Sequence, residues 1–180
     1  EFLALPRKFK VAVTGALEDR AAIAVHDIGL QVLRNEAGEV GFKVLVGGGL
    51  GRTPILGSVV REFLPWEHLL TYTEAIMRVY NQYGRRDNKY KARIKILVKA
   101  VGIEEFTRQV EEEWQDLKGS ASTLTEEEVA RVTAFFNPPA YETLPATDPA
   151  AAHAGNKAFS NWLVRNVKPH KVPGYSAVIL

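Results

Sequence analysis

Leu5-Pro6-Arg7-Lys8-Phe9-Lys10-Val11-Ala12-Val13-Thr14 and, further along, Val40-Gly41-Phe42-Lys43-Val44-Leu45-Val46-Gly47-Gly48-Gly49-Leu50-Gly51 carry the pattern that decides the fold. Residues 8–14 read as a first strand. Side chains alternate faces along a strand, so Lys8 and Lys10 are expected on one side and Arg7 and Phe9 on the other. Two neighbouring ammonium groups repel unless an anion lies between them, although outward lysines also guard sheet edges against aggregation. The glycine run permits either a tight turn at the end of the sheet or close approach of a large ligand to the backbone.

Between these stretches, Val25 to Arg34 alternates as a second strand, with Ile28, Leu30 and Val32 on one face. Asn35-Glu36-Ala37-Gly38 is a turn, and Val40 to Val46 returns as a third strand to make a hairpin. Helices follow. Trp66, Leu69, Leu70, Thr73, Ile76, Met77 and Tyr80 mark an amphipathic helix entered after Pro65. Ile94, Leu97, Val98 and Val101 mark a second helix, stopped at Gly102; Ile103, Phe106, Val110, Trp114 and Leu117 mark a third, stopped at Gly119. Thr125 and Glu128 form a capping box for a fourth, whose expected buried face is Val129, Val132 and Phe136. The Pro- and Ala-rich stretch from Asn137 reads as a connecting arm, with strands at Trp162–Val167 and Tyr175–Leu180. The fold class is therefore α/β of the α+β type, a small mixed or antiparallel sheet packed against several helices.

At 180 residues and 46% hydrophobic, the chain can bury one proper core. It has no membrane-span pattern and no signal-peptide pattern, so a cytoplasmic location is expected. Zero cysteine excludes disulfides, zinc–thiolate sites and iron–sulfur ligation by this segment. Charge is uneven: residues 1–100 hold 16 Lys and Arg against 10 Asp and Glu, whereas residues 101–180 hold 7 against 11. A basic first half suits an anionic ligand, and an acidic second half argues against a general nucleic-acid coat.

Arg85 to Lys95 places six cations in eleven residues against the single carboxylate of Asp87. On a helix, Arg86, Lys89 and Arg93 would share one face and Lys91, Lys95 and Lys99 another. Such a cluster is either a solvated face or a counter-charge for a polyanion. Nucleic acid is a poorer fit, because Tyr90 is the only interleaved aromatic. The glycine run is not a phosphate loop: no Gly-Lys-Ser/Thr follows, and Arg52 stands where Gly-x-Gly-x-x-Gly needs its last glycine. His26, His68, His153 and His170 show no metal-ligand spacing, and no Gly-x-Ser-x-Gly supports a hydrolase.

Taken together, Leu5 to Lys10, His26-Asp27-Ile28-Gly29-Leu30 and Gly41 to Pro54 resemble the sirohaem-dependent sulfite and nitrite reductases in content, order and spacing, over roughly residues 3–118. The resemblance implies an oxidoreductase module cut from a longer polypeptide and inactive alone: residues 1–136 a sirohaem-type module, 137–161 an arm, and 162–180 the start of a truncated ferredoxin-like half-domain. It implies sirohaem and a 4Fe-4S cluster in the full-length enzyme, with the cluster's ligands outside this chain. Lys8 and Lys10 would then face a sulfite or nitrite anion, steadying its charge and supplying protons. Arg7, Arg52, Arg86, Lys89 and Arg93 would meet cofactor carboxylates, and Gly47, Gly48 and Gly49 would pack close to the macrocycle. Implied partners are the remaining domains and an electron-donating flavoprotein or ferredoxin. An alternative makes the segment a structural and interaction module of the same enzyme.

Overall fold

The computed structural model describes residues 2–143 and 148–180. They form two compact units, residues 1–132 and 133–180. In the first unit, strands β1 (Val11–Thr14), β2 (Ile28–Arg34), β3 (Val40–Val46) and β4 (Ser58–Pro65) lie side by side in chain order. β1 runs parallel to β2, starting at Val11 opposite Ile28, while β2–β3 and β3–β4 are antiparallel. The sheet is mixed, as expected. The 35–38 turn closes the hairpin: Gly38, at φ 82°, donates its N–H to Asn35 O at 2.9 Å.

Helices α1 (Leu69–Tyr83), α2 (Ile94–Val101) and α3 (Ile103–Leu117) form where the apolar spacing places them. Gly102 ends α2 and caps α3 at φ 86°, a conformation glycine adopts without a Cβ penalty. Tyr72, Ile76 and Tyr80 of α1, Ile94 of α2, and Phe106, Val110 and Trp114 of α3 share one buried cluster with Ile28, Leu30, Val44, Val46 and Leu64 of the sheet. Inside it, Trp114 Nε1 donates to Thr71 Oγ1 at 3.0 Å and the Tyr72 and Trp114 rings meet edge to face. The indole is thus buried with its polar atom satisfied.

Several expectations are corrected. The first strand is shorter than 8–14, because the Lys10 N–H goes to the Asp27 carboxylate at 3.0 Å instead of into a ladder. The second begins at Ile28 and not Val25; Ile23–Val25 is a 3-10 turn whose first N–H is held by Asp19. β4 goes unread in the sequence because its pairing with β3 shifts register around Val44 and its apolar pattern is irregular.

Helix α4 (Glu126–Thr133) has half of its capping box: Thr125 Oγ1 accepts the Glu128 N–H at 3.2 Å, while the Glu128 carboxylate turns to Arg131. Its expected buried face is exposed, with Val129, Val132 and Phe136 all open. A helical stripe states which face could be covered and does not supply the cover.

The second unit holds a short helix α5 (Pro149–Ala152), helix α6 (Lys157–Asn166) and a two-stranded pair, β5 (Val167–Pro169) with β6 (Ser176–Val178). Trp162–Val167 is thus mostly helix, not strand. Asn156 Oδ1 caps α6 by accepting the Phe159 N–H at 3.0 Å, and Phe159 stacks on Trp162 one turn on. Tyr175–Leu180 does contain its strand. Of the expected arm, residues 144–147 lie outside the described residues. No described helix is long and apolar enough to cross a membrane.

Candidate functional site

Where the start of α2 meets the glycine loop, the first unit carries an open cavity of about 700 Å³. Arg7, Arg52, Arg85, Lys91, Arg93 and Lys95 line it beside Leu50, Gly51, Thr53, Tyr90 and Ile96, and no carboxylate among the described residues does. Six like charges around one concavity are mutually repulsive, an arrangement that a bound polyanion relieves.

Lys95 builds one wall. The sequence leaves it between a solvated face and a counter-charge; the structure buries it. Its Nζ donates to Thr53 O at 2.7 Å, Leu50 O at 3.2 Å and Gly49 O at 3.5 Å. The loop is also closed at its base by a two-way backbone bridge between Gly49 and Ile55. An ammonium has three donors and no acceptor, so a ring of carbonyls satisfies it. Burial lowers the Lys95 pKa from its ordinary value, the Arg93 charge lowers it further, and Asp27 opposes both. The result is a loop of fixed shape that presents Arg52 and Thr53 to the cavity.

Arg93 lines the cavity too, and like Lys95 it lies against Gly49. Its Nε and Nη2 donate to Asp27 Oδ1 at 3.1 and 2.8 Å, with the Asp27 side chain 1% exposed and that of Arg93 11%. The segment 85–93 is not the helix its charge spacing suggested. Asn88 organises a turn there, its backbone O accepting the Lys91 N–H and its side chain the Tyr90 N–H, and α2 starts only at Ile94. The face expected for Arg86, Lys89 and Arg93 therefore does not form, and of Lys91, Lys95 and Lys99 only Lys95 and Lys99 lie together on a helix, α2. Arg86 faces the end of α1 instead, donating to Asn81 O and Oδ1 at 2.9 Å and lying over the Tyr80 ring. A cation there complements the helix's carbonyl end. Lys89 is exposed beside Tyr90. Neither lines the cavity.

Ahead of β1, where no strand forms, Phe9 packs on the core against Tyr80 and Arg7 reaches the cavity, so the two do not share one setting as a strand face would give them. Lys8 is exposed and Lys10 half-buried, and neither is among the residues lining the cavity. The three glycines also stand behind the cavity rather than on it. A Cβ on Gly48 would lie 2.3 Å from Ala24 O, one on Gly47 3.2 Å from Val98 Cγ2, and one on Gly49 3.0 Å from Lys95 Cδ. The close approach they allow is, in each of these contacts, by the chain's own residues. Sequence reasoning missed Asp27, a lone carboxylate before an apolar strand whose partner lies 66 positions away.

The structure is thus an α+β module with a cation-lined cavity set between a glycine loop and the base of a helix. Residues 1–118 match the family described as the nitrite and sulphite reductase 4Fe-4S domain, and the chain belongs to that family. It is 39% identical over 114 residues to the sulfite reductase [ferredoxin] of Synechococcus elongatus, covering 59% of this chain and 18% of that protein. It is 36% identical over 129 residues to the sulfite reductase [NADPH] hemoprotein beta-component of Chromohalobacter salexigens, covering 67% and 22%. Over 119 residues it is 36% identical to the assimilatory ferredoxin-dependent nitrite reductase of Haloferax mediterranei, covering 63% and 20%. The NirA protein of Mycobacterium tuberculosis superposes with a TM-score of 0.56 at 30% identity, over 62% of this chain and 20% of that one. The chain spans about a fifth of the length of these relatives.

Proposed function

We propose that this chain is the first cofactor-cradling module of a sirohaem- and iron–sulfur-dependent sulfite reductase or, with the same residues, of a nitrite reductase, and that it is inactive alone. The observation that carries this reading is the cavity with six cationic side chains and, among the described residues, no carboxylate on its wall. A carboxylate-rich tetrapyrrole fits that donor set: Arg7, Arg52, Lys91 and the outward part of Arg93 would hold its carboxylates by charge-assisted hydrogen bonds. The 4Fe-4S cluster does not fit this segment, which has no cysteine. When bound, sirohaem supplies the iron at which the anion takes up electrons delivered from a flavoprotein or ferredoxin. Lys8 and Lys10, which make no ion pair among the described residues, would contribute positive charge and protons to sulfite or nitrite.

The remaining domains of a longer polypeptide would complete the site. Val11 and Val13, 47% and 52% exposed on the outer strand β1, suit packing against such domains. The test of the cavity reading is titration of the chain with uroporphyrin, an iron-free polycarboxylate porphyrin. Salt-sensitive binding that Arg52→Ala weakens is expected. No binding at low salt would end the reading. In a full-length enzyme, turnover unchanged by both Lys8→Ala and Lys10→Ala would remove the two lysines from the chemistry.

A further inference from the structure

Three parts of the site meet at one residue that the proposed roles do not use. Asp27 is fully buried at the head of β2. Its Oδ2 accepts the Lys10 N–H at 3.0 Å, and its Oδ1 accepts Arg93 Nε at 3.1 Å and Nη2 at 2.8 Å. Its backbone O accepts the Gly47 N–H at 3.0 Å, and the next residue, Ile28, donates its N–H to Lys10 O at 3.1 Å. The approach to β1, the start of the glycine loop and the base of α2 are therefore tied to one side chain and its peptide.

We infer that Asp27 is a positioning residue that fixes Lys10 and Arg93 relative to the cavity, an inference that rests on the cavity taking a carboxylate-rich tetrapyrrole. With Nε and Nη2 both committed to Asp27 and Nη2 lying against Gly49, the guanidinium has one orientation, and Nη1 is left for a ligand. A planar fork held at two of its donors is pre-organised, so little freedom is lost when the third binds. The Lys10 backbone is held at its N–H by the Asp27 carboxylate and at its O by the Ile28 N–H, which sets where its side chain leaves the chain.

Charge and position predict opposite signs. Asp27 subtracts one positive charge from the cavity's surroundings. If charge were its whole effect, Asp27→Asn would tighten binding of a polyanion. If it positions Arg93, the same change loosens binding, because the freed guanidinium must be ordered by the ligand.

The test uses uroporphyrin titrations of the full chain together with nitrogen NMR of its arginines. In the unmodified chain the Arg93 Nε–H is expected to be protected from solvent exchange. An unprotected signal overturns the inference, even where Asp27→Asn fails to fold. In folded Asp27→Asn the uroporphyrin Kd is expected to rise about tenfold. That rise should vanish when Arg93→Gln is already present, which a general loss of stability would not produce. Unchanged or tighter binding in Asp27→Asn, with binding still weakened by Arg52→Ala, overturns the inference and leaves the proposed function standing. No binding by the unmodified chain overturns both.

Discussion

Along α1, α3 and β4 the arginines are matched to carboxylates: Arg78 to Glu74 and Glu113, Arg108 to Glu105 and Glu112, Arg61 to Glu111. Around the cavity the matching is broken. Arg93 has Asp27 and Arg85 has Asp87, but Arg7, Arg52 and Lys91 form no salt bridge among the described residues. The two regions use the same residue types and differ in whether the charge is already answered. Paired surface charges contribute little to either stability or binding. Cations left together in a concavity are a standing attraction for an anion, which is why the chain's positive excess matters only there.

The buried pair offers the hardest test of that contrast. Asp27→Ala leaves the Arg93 guanidinium buried without its counter-ion, and the unfolding free energy should fall by about 3 kcal/mol or more in urea denaturation. A loss near that of an exposed pair would mean that Arg93 is as solvated as Arg108 of α3. Gly48→Ala asks whether the glycine run is used up by packing. Its new Cβ would meet Ala24 O at 2.3 Å, so backbone must move, and a loss of about 2 kcal/mol is expected from the same measurement. An alanine tolerated there would show that this wall yields.

The smallest effect belongs to the matched side. Hydrogen bonds from Arg108 and Gln109 hold the Glu105 pKa down at about 2. A carboxylate whose pKa is depressed by folding adds stability above its unfolded value, and that stability is lost as pH falls through the folded one. Glu105→Gln should therefore lower the melting temperature slightly at pH 7 and make no difference below about pH 2. A difference that persists in strong acid would mean that something other than the ion pair is being read.

What the sequence made legible follows the range of the interactions involved. The 35–38 turn, helix α1 and the pair α2 and α3 parted by Gly102 are local patterns, and each forms where its residues place it. Around Trp162 the apolar residues are too few to show a period and suggest a strand, whereas Asn156 and the Phe159–Trp162 stack decide for helix. At the site, charge clustering marks the 85–95 segment, from which Arg85, Lys91, Arg93 and Lys95 line the cavity, while Arg7 and Arg52 are implied by the family resemblance. Clustering does not separate these from Arg86, whose donors go to the end of α1, does not show that Lys95 is buried, and does not reveal Asp27; the partners of the last two lie 42 and 66 positions away. A burial decided by a distant carbonyl or guanidinium leaves no local trace.

That distance also bears on when the molecule can become competent. The β2–β3 hairpin needs only its own turn and can close early, since short loops cost little entropy to form. The clasp between Asp27 and Arg93 must wait until the polypeptide has run through α1 and folded back, so contacts of high sequence separation complete the cavity last. During synthesis the hairpin can thus form before the pocket does, and an anion arriving early would meet a half-made wall.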